Sequence, residues 1–433
     1  MPKLRLLSAV IVFSTLFLNA AILHAATPPV SLVQLAELTP STRASNDWFG
    51  ISIAVSGNTV VVGDFDANIE NYGAVYVYVK PASGWANMTQ VAKLTSSDNG
   101  EGFGVSVAVS GNTIVVGAAN TSNFSRSRLN RQNFDLPAAG PGAAYVFVKP
   151  ASGWKDMTET AKLTASDGQP GDAFGDSVSI SGPTIAVGAF FAPDSSGNSF
   201  AGKAYVFVRP GSGWSGSLNE TAKLTASDSQ LLNYMGASIA ISGTTVVVGS
   251  YGHNNFQGTA YVFAEPSGGW SSMTQTAELT ASDGKGSDDL GFSSSISGST
   301  VVIGAVNAAV GKGAAYVFVK PSAGWSNMTQ TAELRAPNAA QGDAFGQSAS
   351  ISGNLVVVGA PGANVGANQL QGAAYVFAKP SSGWKNSSTA TELTASDGAA
   401  NDNLGGSAAI SGSTIVAGAP KSTTPGSAYV FGP

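Results

Sequence analysis

The chain has 433 residues, a formal charge of −5 and only 11% charged residues. That mildly acidic balance has the wrong sign for a nucleic-acid binder, and a chain without cysteine carries neither a disulfide framework nor a lipid-bearing thiol. With 53 glycines and abundant Ser, Thr and Asn, its polar surface is built from small neutral groups, which suits an all-β protein with many tight turns.

The first predicted element is a leader. Lys3 and Arg5 precede an apolar stretch from Leu6 to Leu23, and Ala25 and Ala26 offer a cleavage site, so residues 1–26 are expected to be a secretory signal peptide. An uncleaved anchor is the alternative, because the stretch approaches the roughly 20 apolar residues that a span requires. The small residues that close it, with no basic stop behind them, favour cleavage. Losing Lys3 and Arg5 then leaves a charge of −7, from −5 less two cations. These features place the mature chain outside the cytoplasm, as a secreted or cell-envelope protein with no membrane span.

Residues 33–433 form an array of repeats. Ser-Gly pairs recur at Ser56, Ser110, Ser181, Ser242, Ser297, Ser352 and Ser411, each between two apolar runs. A β-rich unit of that period cannot bury its own faces and must stack on its neighbours. One unit parses into four strands, Leu290 to Ile296, Thr300 to Ala305, Ala314 to Val319 and Trp325 to Leu334. Gly298-Ser299 alone joins the first two, a link of the kind that primed hairpin turns prefer. The second strand is apolar on both sides, as in Val356-Val357-Val358, so both of its faces are expected to be covered. The third runs from Tyr76-Val77-Tyr78 in the first repeat to Tyr429-Val430-Phe431 in the last, and period 2 puts both rings on one face, filling the space between sheets.

The fourth strand ends in Ala-Lys/Glu-Leu at Leu94, Leu163, Leu224, Leu279 and Leu334, and in Thr-Glu-Leu at Leu393. A further copy, Ala36-Glu37-Leu38, precedes the first repeat, while the last repeat has no fourth strand after Phe431. The amino-terminal strand is therefore expected to complete the last sheet and close a ring without exposed edges. The predicted fold is a seven-bladed β-propeller of four-stranded blades.

Phe49-Gly50, Phe103-Gly104, Phe174-Gly175 and Phe345-Gly346 open repeats that reach Gly359-Ala360-Pro361 and Gly418-Ala419-Pro420. From about Gln34 to Pro433 this pattern resembles the FG-GAP repeats of integrin α-subunit propellers and of many secreted bacterial proteins. Met235-Gly236, Leu290-Gly291 and Leu404-Gly405 depart from it but keep an apolar residue before glycine. The resemblance implies a propeller and, on integrin-like members, a calcium loop rich in aspartate between the first two strands of a blade. Here those links, such as Gly57-Asn58 and Gly412-Ser413, contain no carboxylate, so the family's usual calcium sites do not carry over.

Strand parity sorts the connections into two ends of the ring. The one-to-two and three-to-four links are short and uniform, as in Lys80 to Trp85, whereas the two-to-three loops vary, the longest running from Ala119 to Pro141. Loops that vary on a rigid frame are where recognition is placed, and the resemblance implies ligand contact on the same face. The long insertion offers Phe124, Arg126, Arg128, Arg131 and Phe134 as ligand-binding candidates, arginine and aromatic anchors being common hot spots. A solvated loop is the competing reading. Trp48, outside the series Trp85, Trp154, Trp214, Trp270, Trp325 and Trp384, is the tryptophan expected to meet ligand. The series itself, at one structural position, reads as blade-locking.

Blade-to-blade links pair acids five residues apart, Asp167 with Asp172, Asp283 with Asp288 and Asp397 with Asp402. These are the candidate metal ligands, with calcium as the cation, although the same residues are ordinary turn formers. Asp64, Asp66 and Asn68 begin like a calcium loop but Ile69 stands where it needs glycine. Of the two histidines, His24 lies in the leader and His253 stands alone in a two-to-three loop, with no strained elbow motif beside it. No catalytic set emerges. The expected function is non-enzymatic recognition or adhesion by a monomer that binds a protein or a surface glycan, without a cofactor. A polysaccharide-active enzyme using inter-blade carboxylates is the alternative.

Overall fold

The computed structural model describes residues 31–42, 48–65, 72–119, 140–420 and 426–433. Their strands group into seven sheets, antiparallel within each blade, the blades of a propeller. Blade four shows the build: Ser238–Ser242, Thr245–Ser250, Thr259–Ala264 and Ala277–Thr280. Ser242 pairs with Thr245 across Gly243-Thr244. Gly243 sits at φ 56° while Thr244 stays out of the left-handed region, the pattern of a type II′ turn, whose twist matches the flanking strands. The second strand of this blade is buried at every position, as expected of a run without a polar face.

The fourth strand corrects the expectation of one continuous element. Trp325 to Leu334 divides into Met328–Thr329 and Ala332–Leu334. The first piece pairs in parallel with the fourth strand of the preceding blade, Leu279 opposite Met328, and the second pairs antiparallel within its own blade, Ala315 opposite Leu334. Sheets therefore hold four or five strands. Side-chain amides decide the switch. Asn327 accepts from the Glu278 N–H at 2.9 Å, and Gln330 accepts from the Ser282 N–H while donating to its hydroxyl.

The core lies between blades, not within them. Tyr76, Tyr145, Tyr205, Tyr261, Tyr316, Tyr375 and Tyr429 are at most 1% exposed. Between blades three and four, Tyr261, Phe263 and Trp270 pack on Ala186, Val206 and Leu224. A fully buried ring of this size contributes about 1.5–3 kcal/mol. Trp85, Trp154, Trp214, Trp270, Trp325 and Trp384 are 5–9% exposed and each sits in such an interface, which fits blade-locking.

A second device ties blades near the axis. A serine two residues after each Phe-Gly or its equivalent donates to the glycine carbonyl of the next blade, from Ser52 to Gly104 at 2.7 Å through to Ser407 to Gly50 at 2.7 Å. Another glycine packs onto each of these bonds. A Cβ on Gly188 would stand 2.1 Å from the Gly236 oxygen and 2.3 Å from the Ser177 hydroxyl, so only glycine fits. The ring closes as expected: Val33–Thr39 pairs antiparallel with Ser427–Gly432, Val33 opposite Gly432, with a bulge between Gln34 and Ala36. Among the described residues no helix is long and apolar enough to cross a membrane.

Candidate functional site

The two ends of the ring differ in kind. At one end every three-to-four link is a Pro-x-x-Gly turn, closed for example by the Gly84 N–H on the Pro81 carbonyl. The other end carries the two-to-three loops and the blade junctions. Every non-glycine residue with positive φ among the described residues lies there. Some of these belong to the repeat itself: Ala173, Tyr234, Asp289, Ala344 and Asn403 all precede the Phe-Gly position or its equivalent. Others, such as Phe200, Leu232, Phe256, Val310 and Leu370, belong to individual loops. Left-handed backbone costs an ordinary residue about 1–2 kcal/mol, and such strain gathers where loops are held for a purpose. Under the same face Phe190, Phe191 and Tyr234 form a buried aromatic cluster, with half-buried Phe200, Tyr251 and Phe256 packed on it. Tyr234 and Tyr251 stack at 5.0 Å. A cleft of about 500 Å³ opens beside the blade one–two junction, lined by Tyr72, Asp98, Glu101, Pro141 and Lys162.

The paired junction acids take separate roles. The first of each pair meets the buried tyrosine of the following blade: Tyr205 donates to Asp167 at 3.0 Å, Tyr316 to Asp283 at 3.2 Å, and Tyr429 bonds Asp397. Burial works to raise Asp167, but Lys203 at 3.0 Å, Lys223 at 3.2 Å and the Tyr205 hydroxyl outweigh it and hold the carboxyl below its usual range. The second acid closes its own turn, as Asp172 accepts the Gln169 N–H, Asp288 the Lys285 N–H and Asp402 the Ala399 N–H. Burial pushes Asp172 and Asp288 up. The second acids thus act as turn formers, while the first acids serve contacts between junction and blade. Groups of three or more imidazole or carboxylate ligands within 4.8 Å of one another occur once among the described residues, at Asp228, His253 and Glu278, and include no member of the three pairs.

That group corrects the reading of His253 as alone. Asp228 comes from a blade junction, His253 from the loop Gly252–Gly258 and Glu278 from the fourth strand of blade four. Tyr261 donates to Asp228 at 2.9 Å and lies 3.3 Å from His253 Nδ1, while Nε2 stands 3.8 Å from Asp228 Oδ2 and 3.7 Å from Glu278 Oε1. Sequence alone missed Asp228 and Glu278 as partners. The signal available was the Lys/Glu alternation in the fourth-strand signature, which puts Glu278 where blade three has Lys223.

Trp48 corrects a second expectation. It is 7% exposed and packed on Phe65 at 5.8 Å, so the ring faces inward, and its backbone N–H donates to Asp64. Asp64 is likewise buried and serves that bond. Phe124, Arg126, Arg128, Arg131 and Phe134, like Asp66 and Asn68, lie outside the described residues.

The sequence profile of the FG-GAP repeat matches seven segments of the chain, residues 32–78, 88–147, 157–207, 218–263, 273–318, 328–377 and 388–431. Their number equals that of the blades. Among curated protein sequences none matches this chain.

Proposed function

The chain belongs to the FG-GAP repeat family, and from that premise we propose that it is a secreted, non-enzymatic recognition or adhesion protein, a monomer that binds a protein or a surface glycan through the loop face of the ring. The one-sidedness of the loops carries this reading: variable connections and loop-specific left-handed residues gather on one face, over a frame of repeated interfaces. The same face exposes apolar side chains, Leu231 at 58%, Val310 at 81% and Leu370 at 42%, and carries the polar cleft at Asp98 and Lys162 on other blades.

The test is binding of the protein without its leader to an array of surface polysaccharides and to extracts of surface proteins. A saturable ligand is expected, with affinity falling about tenfold or more when Val310→Asp and Leu370→Asp are combined, the loss expected of interface residues near a binding centre. Val208→Asp, at the opposite end of the ring, is expected to leave it unchanged. Equal affinity in all variants would remove the loop face from the proposal. Release of reducing ends from the arrayed polysaccharides would replace recognition by hydrolysis.

A further inference from the structure

Blade four departs from its neighbours at one place near the loop face. In blade three Asp167 is balanced by Lys203 and Lys223, and in blade five Asp283 and Glu333 share Arg335. In blade four the positions of the two lysines hold Thr259 and Glu278. Asp228 and Glu278 therefore face each other with the imidazole of His253 as their neighbour, and no lysine or arginine pairs with them among the described residues.

Tyr261 links two of these groups. Tyr261 is buried, and its hydroxyl has one proton to place. The shorter bond, to the anionic Asp228 oxygen at 2.9 Å, takes that proton. In the tautomer protonated at Nδ1 the phenol oxygen accepts from that N–H at 3.3 Å, and Nε2 keeps its lone pair. That lone pair points toward two carboxylate oxygens at distances too long for hydrogen bonds. Three electron-pair donors thus converge, and the Thr259 hydroxyl lies beside the third, 3.1 Å from Glu278 Oε1 and 3.0 Å from the Leu279 carbonyl.

We propose that Asp228, His253 and Glu278 bind a divalent transition-metal ion of the zinc class. One imidazole and two carboxylates suit zinc, whose bonds of about 2.0–2.1 Å put tetrahedral ligand atoms roughly 3.3 Å apart. The observed 3.7 and 3.8 Å close to that value by about half an ångström per pair. Calcium and magnesium prefer all-oxygen shells of six or more ligands, which this site does not offer. Tyr261 positions the imidazole through its other ring nitrogen, the arrangement that metal-bound histidines use. Asp228 is 36% exposed, so the fourth coordination position opens to solvent at the rim of the face where ligand binding is proposed.

Isothermal titration of zinc chloride into the full chain tests this. One site with a micromolar or tighter Kd is expected, undisplaced by millimolar calcium or magnesium. Tyr261→Phe removes no ligand atom and is expected to weaken binding about 10- to 100-fold. His253→Ala is expected to abolish it, and that variant should fold, since blade five carries Ala308 at the matching point of a loop with the same left-handed turn. With two histidines in the chain, nitrogen NMR gives a second readout: zinc should shift one imidazole Nε2, the signal missing from His253→Ala. No saturable binding, or equal affinity in His253→Ala, would overturn the proposal.

Discussion

At Tyr205 a hydroxyl that belongs to the core of one blade holds a carboxylate that belongs to the junction leading into it. The pattern recurs with Asp98 under Tyr145 and Asn338 under Tyr375, so these bonds set where each junction leaves the ring. Tyr205→Phe keeps the ring and deletes the donor, and is expected to cost about 1–2 kcal/mol in urea unfolding. Asp98 and Asp167 also predict an acid limb. Burial opposes ionisation of both, yet Lys162 and Lys203 with the tyrosine hydroxyls hold the carboxyls low. Their stabilisation is complete above the unfolded value of about 3.9 and is lost as pH falls through the lower folded value. Asp172 and Asp288 run the other way, because their raised carboxyls are relieved by protonation. The melting temperature of Asp167→Asn, followed from pH 6 to pH 3, should therefore fall less steeply than that of the parent chain.

Among the elements, the strands were legible because each is written in residues that only a covered, pleated surface accommodates, and because Ser-Gly marks every first hairpin. The fourth strand was misread for a physical reason. Only Gln330-Thr331 separates its halves, with no Gly or Pro to mark a break, and the jump between sheets depends on Asn327 and Gln330 finding the backbone of a neighbouring blade. Asp228, His253 and Glu278 were illegible as a set for a similar reason, since each is unremarkable in its own segment and only the stacking of connections brings them together. The arginines of the long insertion remain a sequence reading. Glycine roles separate cleanly at this scale. Gly188→Ala drives a methyl into the Ser177–Gly236 bond and should destabilise by about 3 kcal/mol or more. Gly243→Ala meets nothing within 4 Å and suffers only from φ 56°, so about 1–2 kcal/mol is expected. Melting temperatures of the two variants would check the order.

For the whole molecule, repetition around a circle replaces a central core. No blade buries its own faces, and each relies on two neighbours, so closure matters more than any single interface. Removing Val33–Thr39 would leave Ser427–Gly432 as an exposed edge and would also free Ser396, whose N–H donates to Gln34 at 2.9 Å. Such edges recruit strands from other chains. The truncated protein is expected to elute from size exclusion as oligomers, where the intact ring elutes as one species.

The antiparallel closure also sets how the ring meets mechanical load. Val33 and Gly432 face each other at the same end of their strand pair, so tension applied between them acts on one bond at a time and peels the closing strand like a zip. Tension leaving through Gly432 runs along Ser427–Gly432, which Thr414–Ala419 holds from the other side, and spares that seam, whereas tension leaving through Val33 loads it. For the proposed adhesion role, anchorage beyond Gly432 would therefore leave the closing seam unstressed, and anchorage ahead of Val33 would not.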